Sequence, residues 1–269
     1  MKPLKNYFLL LIGSIFLLSC ATVPITGRKQ LSVIPSSTMS SMSLQQYDEF
    51  LNSHKLSTDQ KQTQMVKSVG AKIQKAVEEY FTENNMSQEL ENYSWEFNLV
   101  ESKEVNAWCM PGGKVVVYTG ILPIAKDETG LAVVMGHEIA HAIAGHGNER
   151  MSQGMALQLG GMAISTAMAQ KPEATQKLWM SAFGLGAQYG LMLPYSRLHE
   201  SEADHLGLIF MAMAGYNPNA AVKFWKRMAQ EKQGEAPPEF MSTHPADETR
   251  ISNIRELIPE VMPYYEKSK

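Results

Sequence analysis

One stretch of the chain reads Gly136-His137-Glu138-Ile139-Ala140-His141. On an α-helix, residues four apart differ by only about 40° of rotation, so His137 and His141 face the same way and can hold one metal ion through their imidazole nitrogens. Glu138 then lies beside the metal, placed to take a proton from water rather than to coordinate. A catalytic zinc needs a third protein ligand and a fourth position for water. His146 is nine residues after His137, half a turn out of phase on a continuous helix, and reads as a surface or helix-end histidine. The better source is Arg197-Leu198-His199-Glu200-Ser201-Glu202-Ala203-Asp204. Glu200 and Asp204 share a helical face, so one carboxylate can bind the metal while the other accepts a hydrogen bond from a ligand histidine and fixes its tautomer. Glu202 is roughly 200° away from Glu200 and reads as a solvated carboxylate. His199 and His205 are rival ligands, but neither has a carboxylate at the supporting spacing.

Those residues need helices to hold them, and the apolar periodicity supplies them. From Met39 to about Asn85 the pattern is helical, with Ser57-Thr58-Asp59 as a cap between two helices. Trp95, Phe97 and Leu99 alternate with polar residues, and Lys114-Val115-Val116-Val117-Tyr118 is β-branched and bounded by glycines, which predicts two strands joined through 106–113. Helices are expected at about 127–147, 150–169, 173–190, 196–214, 218–232 and 248–257, punctuated by Pro172, Pro194, Pro218 and the Gly234–Pro238 stretch. The segment Met151–Leu193 is rich in Met, Ala and Gly. Flexible thioethers fill irregular gaps, so it reads first as close-packed core helices and second as a substrate-facing or membrane-touching surface.

With 269 residues, 44% apolar and 19% charged, the chain is globular and can build a sizeable core. A net charge of −3 lacks the basic surplus of a nucleic-acid binder. Lys2 and Lys5 precede an apolar run from Tyr7 to Leu18, too short to span a bilayer and suited to a signal peptide. The run ends in Leu17-Leu18-Ser19-Cys20, which resembles a bacterial lipobox, with Cys20 as the acylated residue. Loss of residues 1–19 would remove two lysines and no acid, taking the net charge from −3 to −5. The expected organisation is a signal peptide at 1–19, a tether or wrapped extension at 20–38, and one domain at 39–269. Cys109, the other cysteine, reads as a packing residue in the loop before the second strand.

His-Glu-x-x-His followed by Glu-x-x-x-Asp on a second helix is the gluzincin arrangement, and the chain resembles metallopeptidase family 48. Four segments carry the resemblance: Glu104–Gly120, Gly136–Arg150, Glu200–Gly207, and Ser242-Thr243-His244-Pro245 with Arg250 after it. The resemblance implies an α+β, mainly α, zincin-like fold with a small sheet or hairpin edging the cleft. It implies one zinc per chain held by His137, His141 and Glu200, with Asp204 supporting and Glu138 as general base. It also implies that the strand of Lys114, Val115, Val116, Val117 and Tyr118 edges the cleft and pairs with substrate. Pro245 biases His244 toward an extended conformation that can point its ring into a cleft. Given the resemblance, His244 is a candidate fourth ligand or a transition-state stabiliser.

The expected function is a zinc endopeptidase of the bacterial cell envelope, a lipoprotein facing the periplasm from the outer membrane and acting on misfolded or stalled polypeptides. The outer-membrane assembly machinery is a candidate partner. The alternative is a non-catalytic chaperone or assembly factor on the same fold; intact His137, Glu138, His141, Glu200 and Asp204 favour the enzyme.

Overall fold

The computed structural model describes residues 20–231, 239–245 and 248–269. Residues 1–19, where a signal peptide is expected, and the whole Gly234–Pro238 stretch lie outside them. The chain divides into two compact units, one comprising the chain up to Ser36 with Gly145–His199, the other Ser37–Ala144 with Glu200–Lys269.

In the second unit, helices α1 (Ser36–Ser53) and α2 (Gln60–Glu83) precede a three-stranded sheet of β3 (Glu96–Val100), β4 (Ala107–Met110) and β5 (Lys114–Tyr118). Asp59 caps α2 by accepting from the Gln62 N–H at 2.9 Å, as the sequence suggests. Val66, Val69, Ile73, Val77 and Phe81 then fall on one face, and all five are buried. The sheet order is β3-β5-β4, with β5 parallel to β3 and antiparallel to β4. This sheet therefore has one more strand than the two that the periodicity predicts. Ala107–Met110 is too short to show alternation, and it turns into β5 through Gly112 and Gly113, both at positive φ.

This topology corrects the expected substrate edge. Lys114, Val115, Val116, Val117 and Tyr118 form the central strand, paired on both sides and buried throughout. The strand beside the histidine-bearing helix is β4. That helix, α4 (Glu128–Ile143), follows a short α3 (Leu122–Ala125) and is capped by Asp127, whose carboxylate accepts from the Gly130 N–H at 2.8 Å. Every residue from Gly130 to Ile143 is buried. A helix apolar all round belongs at the centre of a core, and α4 packs against α2, β4 and α8 (Ala220–Gln230). The unit closes with α9 (Glu239–Thr243) and α10 (Glu248–Lys267). Helix α10 runs ten residues past its expected end, because Pro259 and Pro263 both lie on its exposed side, where water can satisfy the carbonyls they free.

In the first unit, β1 (Cys20–Thr22) and β2 (Lys29–Leu31) form an antiparallel ribbon, so the 20–38 segment is wrapped rather than loose at its start. Helices α5 (His146–Met168) and α6 (Glu173–Ala187) follow, and a π-helical turn over Gln188–Met192 leads into α7 (Leu193–Met213). Gly145, in the left-handed region, breaks the expected 127–147 helix before His146. Arg28 pairs with Glu149 through both carboxylate oxygens at 3.2 and 2.8 Å, and His199 Nε2 lies 2.8 Å from Glu149. His146 is fully buried, stacked on His199 at 4.2 Å, so it is a helix-end histidine but not a surface one.

Burial alone would raise the Glu149 carboxyl, yet hydrogen bonds from His199 and Arg28 hold it below its usual range. A depressed carboxylate contributes stability that is complete above its ordinary value of 4.5 and is lost as pH falls through the folded value. Glu149→Gln is therefore expected to cost about 3 kcal/mol near neutral pH, as breaking a buried pair does, and to flatten the acid limb of the stability curve. Denaturant melts of both proteins across pH check this; parallel curves would show that the pair contributes nothing.

Candidate metal centre

Helices α4 and α7 cross where each carries a glycine. A Cβ on Gly136 would lie 2.9 Å from the Gly207 carbonyl oxygen, and one on Gly207 would lie 2.9 Å from the Gly136 carbonyl carbon. Backbone therefore meets backbone, and the residues on the facing turns, His137 and His141 on α4 with Glu200 and Asp204 on α7, are brought together. The glycines make the site possible, and the sequence signal for them is only their position beside the two motifs.

His137 Nε2 lies 3.1 Å from His141 Nε2 and 3.1 Å from His244 Nδ1. Glu200 Oε1 is 3.3 Å from His141 Nε2, Oε2 is 3.4 Å from His137 Nε2, and both are 3.0 Å from His244 Nδ1. The ligands of a tetrahedral zinc at about 2.0–2.1 Å stand roughly 3.3–3.4 Å from one another, so this donor set fits the ion in both type and spacing. His137, His141, Glu200 and His244 form one group able to hold a metal. His244 reaches it from the end of α9, its N–H donating to the Phe240 carbonyl at 2.8 Å.

Behind the donors, Asp204 Oδ1 lies 3.0 Å from His137 Nδ1, which leaves Nε2 to face the cluster. Arg250 grips Asp204 with two bonds of 2.8 and 2.7 Å and reaches Glu200 Oε2 at 3.0 Å, while its guanidinium lies 3.5 Å over the Trp225 ring. This clamp escapes a sequence reading, because Arg250 and Trp225 come from different helices with no spacing to link them. Burial opposes ionisation of Glu200 and Asp204; the histidines around Glu200, and Arg250 with His137 beside Asp204, outweigh it and hold both below the usual carboxylate range. Burial keeps His141 neutral. Burial and Arg250 lower the His137 imidazole, but Asp204 and Glu200 outweigh them and raise it to about 9, so a metal held there would displace its proton. The ionised carboxylates and the neutral His141 are already in the charge states a divalent cation requires.

Glu138 is beside the donor group and not part of it. Its Oε1 is buried without a hydrogen-bond partner and lies 3.5 Å from His244 Nε2. Burial pushes its carboxyl up, toward the range of a group that must both take and release a proton.

The rival ligands are engaged elsewhere: His199 with Glu149, and His205 with Glu260 at 2.9 Å. Glu202 is outside the donor group but is buried rather than solvated, because α7 is covered on both faces here. Cys109 sits on β4 rather than in a loop, and burial raises its thiol well above the usual range.

A helix carrying two histidines and a buried glutamate, crossed by a second helix bearing Glu200 and Asp204 beside a small sheet, defines a zincin-like metallopeptidase site. The profile of peptidase family M48 matches residues 67–258, and the chain belongs to that family. It is 40% identical over 173 residues to the mitochondrial metalloendopeptidase OMA1 of Schizosaccharomyces pombe, covering 64% of this chain and 49% of that protein. The mitochondrial metalloendopeptidase OMA1 of Danio rerio is 30% identical over 262 residues, 94% of this chain and 54% of its own. The beta-barrel assembly-enhancing protease of Yersinia pestis is 29% identical over 176 residues, 62% and 35% respectively. The chain spans about half the length of the mitochondrial relatives.

Proposed function

We propose that the protein is a zinc endopeptidase that cleaves extended polypeptide, with His137, His141 and Glu200 as metal ligands and Glu138 as general base. The observation that carries the reading is the convergence of three donors at zinc spacing beside a buried glutamate oxygen without a partner. When bound, zinc supplies Lewis acidity toward the scissile carbonyl and toward water. Glu138 accepts the proton of the attacking water and returns it to the leaving amine. Asp204 keeps His137 in the tautomer that presents Nε2, and Arg250 keeps Asp204 in place.

Substrate pairing falls to β4 rather than β5. The Tyr118 N–H donates to the Asn106 carbonyl at 3.1 Å, and the register pairs Ala107 with Val117 and Cys109 with Val115. In an antiparallel ladder the bonded and non-bonded pairs alternate, so Ala107 and Cys109 direct their main-chain groups away from β5, where an extended chain can add as a further strand. Such pairing is nearly blind to side chains and suits misfolded or stalled proteins. The lipobox-like run before Cys20, the exposure of Cys20 at the start of β1, and a relative named for β-barrel assembly favour a lipoprotein of the bacterial envelope. The outer-membrane assembly machinery is the corresponding candidate partner. Palmitate-analogue labelling of wild type and Cys20→Ser tests the attachment. For the activity, casein cleavage should disappear with a zinc chelator and return on adding zinc; cleavage indifferent to the chelator would remove the metal from the reaction.

His244 is assigned the fourth position in a latent enzyme. With Nδ1 against Glu200 and His137 and Nε2 toward Glu138, its ring occupies the place an attacking water needs. His244→Ala is expected to raise basal casein cleavage severalfold with zinc content unchanged. A fall in cleavage with zinc retained would make His244 a donor to the developing oxyanion instead.

A further inference from the structure

The Met-rich segment is not core. No residue of α6 is buried, and the consecutive Leu178, Trp179 and Met180 are 69%, 53% and 39% exposed. At about 100° per residue, those three side chains leave the helix in three different directions. Along α5, Met151, Met155, Leu159 and Met162 are exposed as well. Met151, Met155, Leu159 and Met162 recur at three- and four-residue steps, so α5 carries one exposed apolar stripe, and α6, packed on α5, adds Leu178, Trp179 and Met180 to the apolar surface.

We propose that the α5–α6 hairpin is a lipid-docking element that lies in the headgroup and acyl boundary of a phospholipid bilayer. Met151–Gln170 and Leu178–Ser196 contain no Asp, Glu, Lys or Arg, and Lys171, Glu173 and Lys177 are gathered at the turn between them. Lys171, Lys177 and Arg197 against Glu173 give the hairpin and its exit a charge of +2 in a chain of −3, so this is the part an anionic surface attracts. The exposed Trp179 has an amphipathic ring of the kind enriched at membrane interfaces. Among the described residues no helix is long and apolar enough to cross a membrane, and the exposed Gln158 and Gln188 interrupt the apolar surface, so the hairpin lies in the interface and does not span.

The same unit holds Cys20. Its ribbon is joined to the base of α5 by Asn148 donating to the Ile34 carbonyl at 2.7 Å and the Val33 N–H donating to Ser152 at 3.0 Å. The docking contact is independent of peptidase activity and of acylation.

The test uses the chain from residue 20 onward carrying Cys20→Ser, which keeps every described element and cannot be acylated. Flotation with phosphatidylethanolamine–phosphatidylglycerol vesicles is expected to carry this protein upward, with a blue-shifted tryptophan emission that Trp179→Phe abolishes. Combined Leu178→Ser, Trp179→Ser and Leu185→Ser should weaken vesicle binding at least about tenfold while leaving casein cleavage and helicity unchanged. Absence of flotation by the parent protein, or equal flotation of the triple variant, overturns the proposal. So does a dimer that the triple variant converts to monomer without any vesicle binding, which would assign the surface to a second copy of the chain.

Discussion

Glu138→Gln is expected to retain zinc at the wild-type level and to lose casein cleavage by about three orders of magnitude or more. The two halves of that result have separate physical causes. Glu138 is not among the donors, so replacing it does not remove what holds the metal. Glutamine has the same shape and fits the same buried position, but it cannot accept a proton. The orphaned Oε1 is the atom at stake, since a buried carboxylate oxygen without a partner is costly unless a water or substrate supplies the missing contact. His137→Ala and His141→Ala, by contrast, are expected to lose zinc and activity together. Zinc content by elemental analysis beside cleavage rates at matched loading distinguishes the cases. A Glu138→Gln protein that cleaves at the wild-type rate would remove Glu138 from the reaction.

The parts of this site that could be read in the sequence are those where one helix fixes the geometry. His137 with His141, and Glu200 with Asp204, are each four apart, and a helix turns that spacing into a shared face whatever surrounds it. Pro245 after His244 is a similarly local cue, and His244 does reach the donors. What escaped depends on long-range packing. Whether Val115–Val117 is an edge or a centre depends on whether 107–110 is a strand, and four residues reading Ala-Trp-Cys-Met carry no periodicity to decide it. The burial of His146 and Glu202 depends on what covers them, namely His199 for the one and the second buried face of α7 for the other. The Met-rich helices are the clearest case. Composition reports that a helix is apolar, and the same composition serves a core helix and an exposed one. Only the exposure of Leu178 and Trp179 separates the two.

Glu200→Ala is expected to strip the zinc, whereas Glu202→Ala leaves occupancy nearly unchanged, although the two glutamates are neighbours in sequence. Both Glu200 oxygens lie within 3.4 Å of histidine ring nitrogens in the cluster, and Arg250 holds one of them at 3.0 Å, so its loss removes an anionic ligand and leaves a guanidinium close to where a cation must sit. Glu202 lies on the opposite face of α7 and is buried there, so its removal shows as a lower melting temperature and not as lost metal. Asp204→Asn should fall between them, weakening zinc binding by about 10–100-fold. It keeps the shape but surrenders the charge that orients His137 Nδ1 and pairs with Arg250. Zinc titrations against a competing chelator give the three affinities directly. Loss of zinc in Glu202→Ala with retention in Glu200→Ala would reassign the ligand and, with it, the face of α7 that meets the metal.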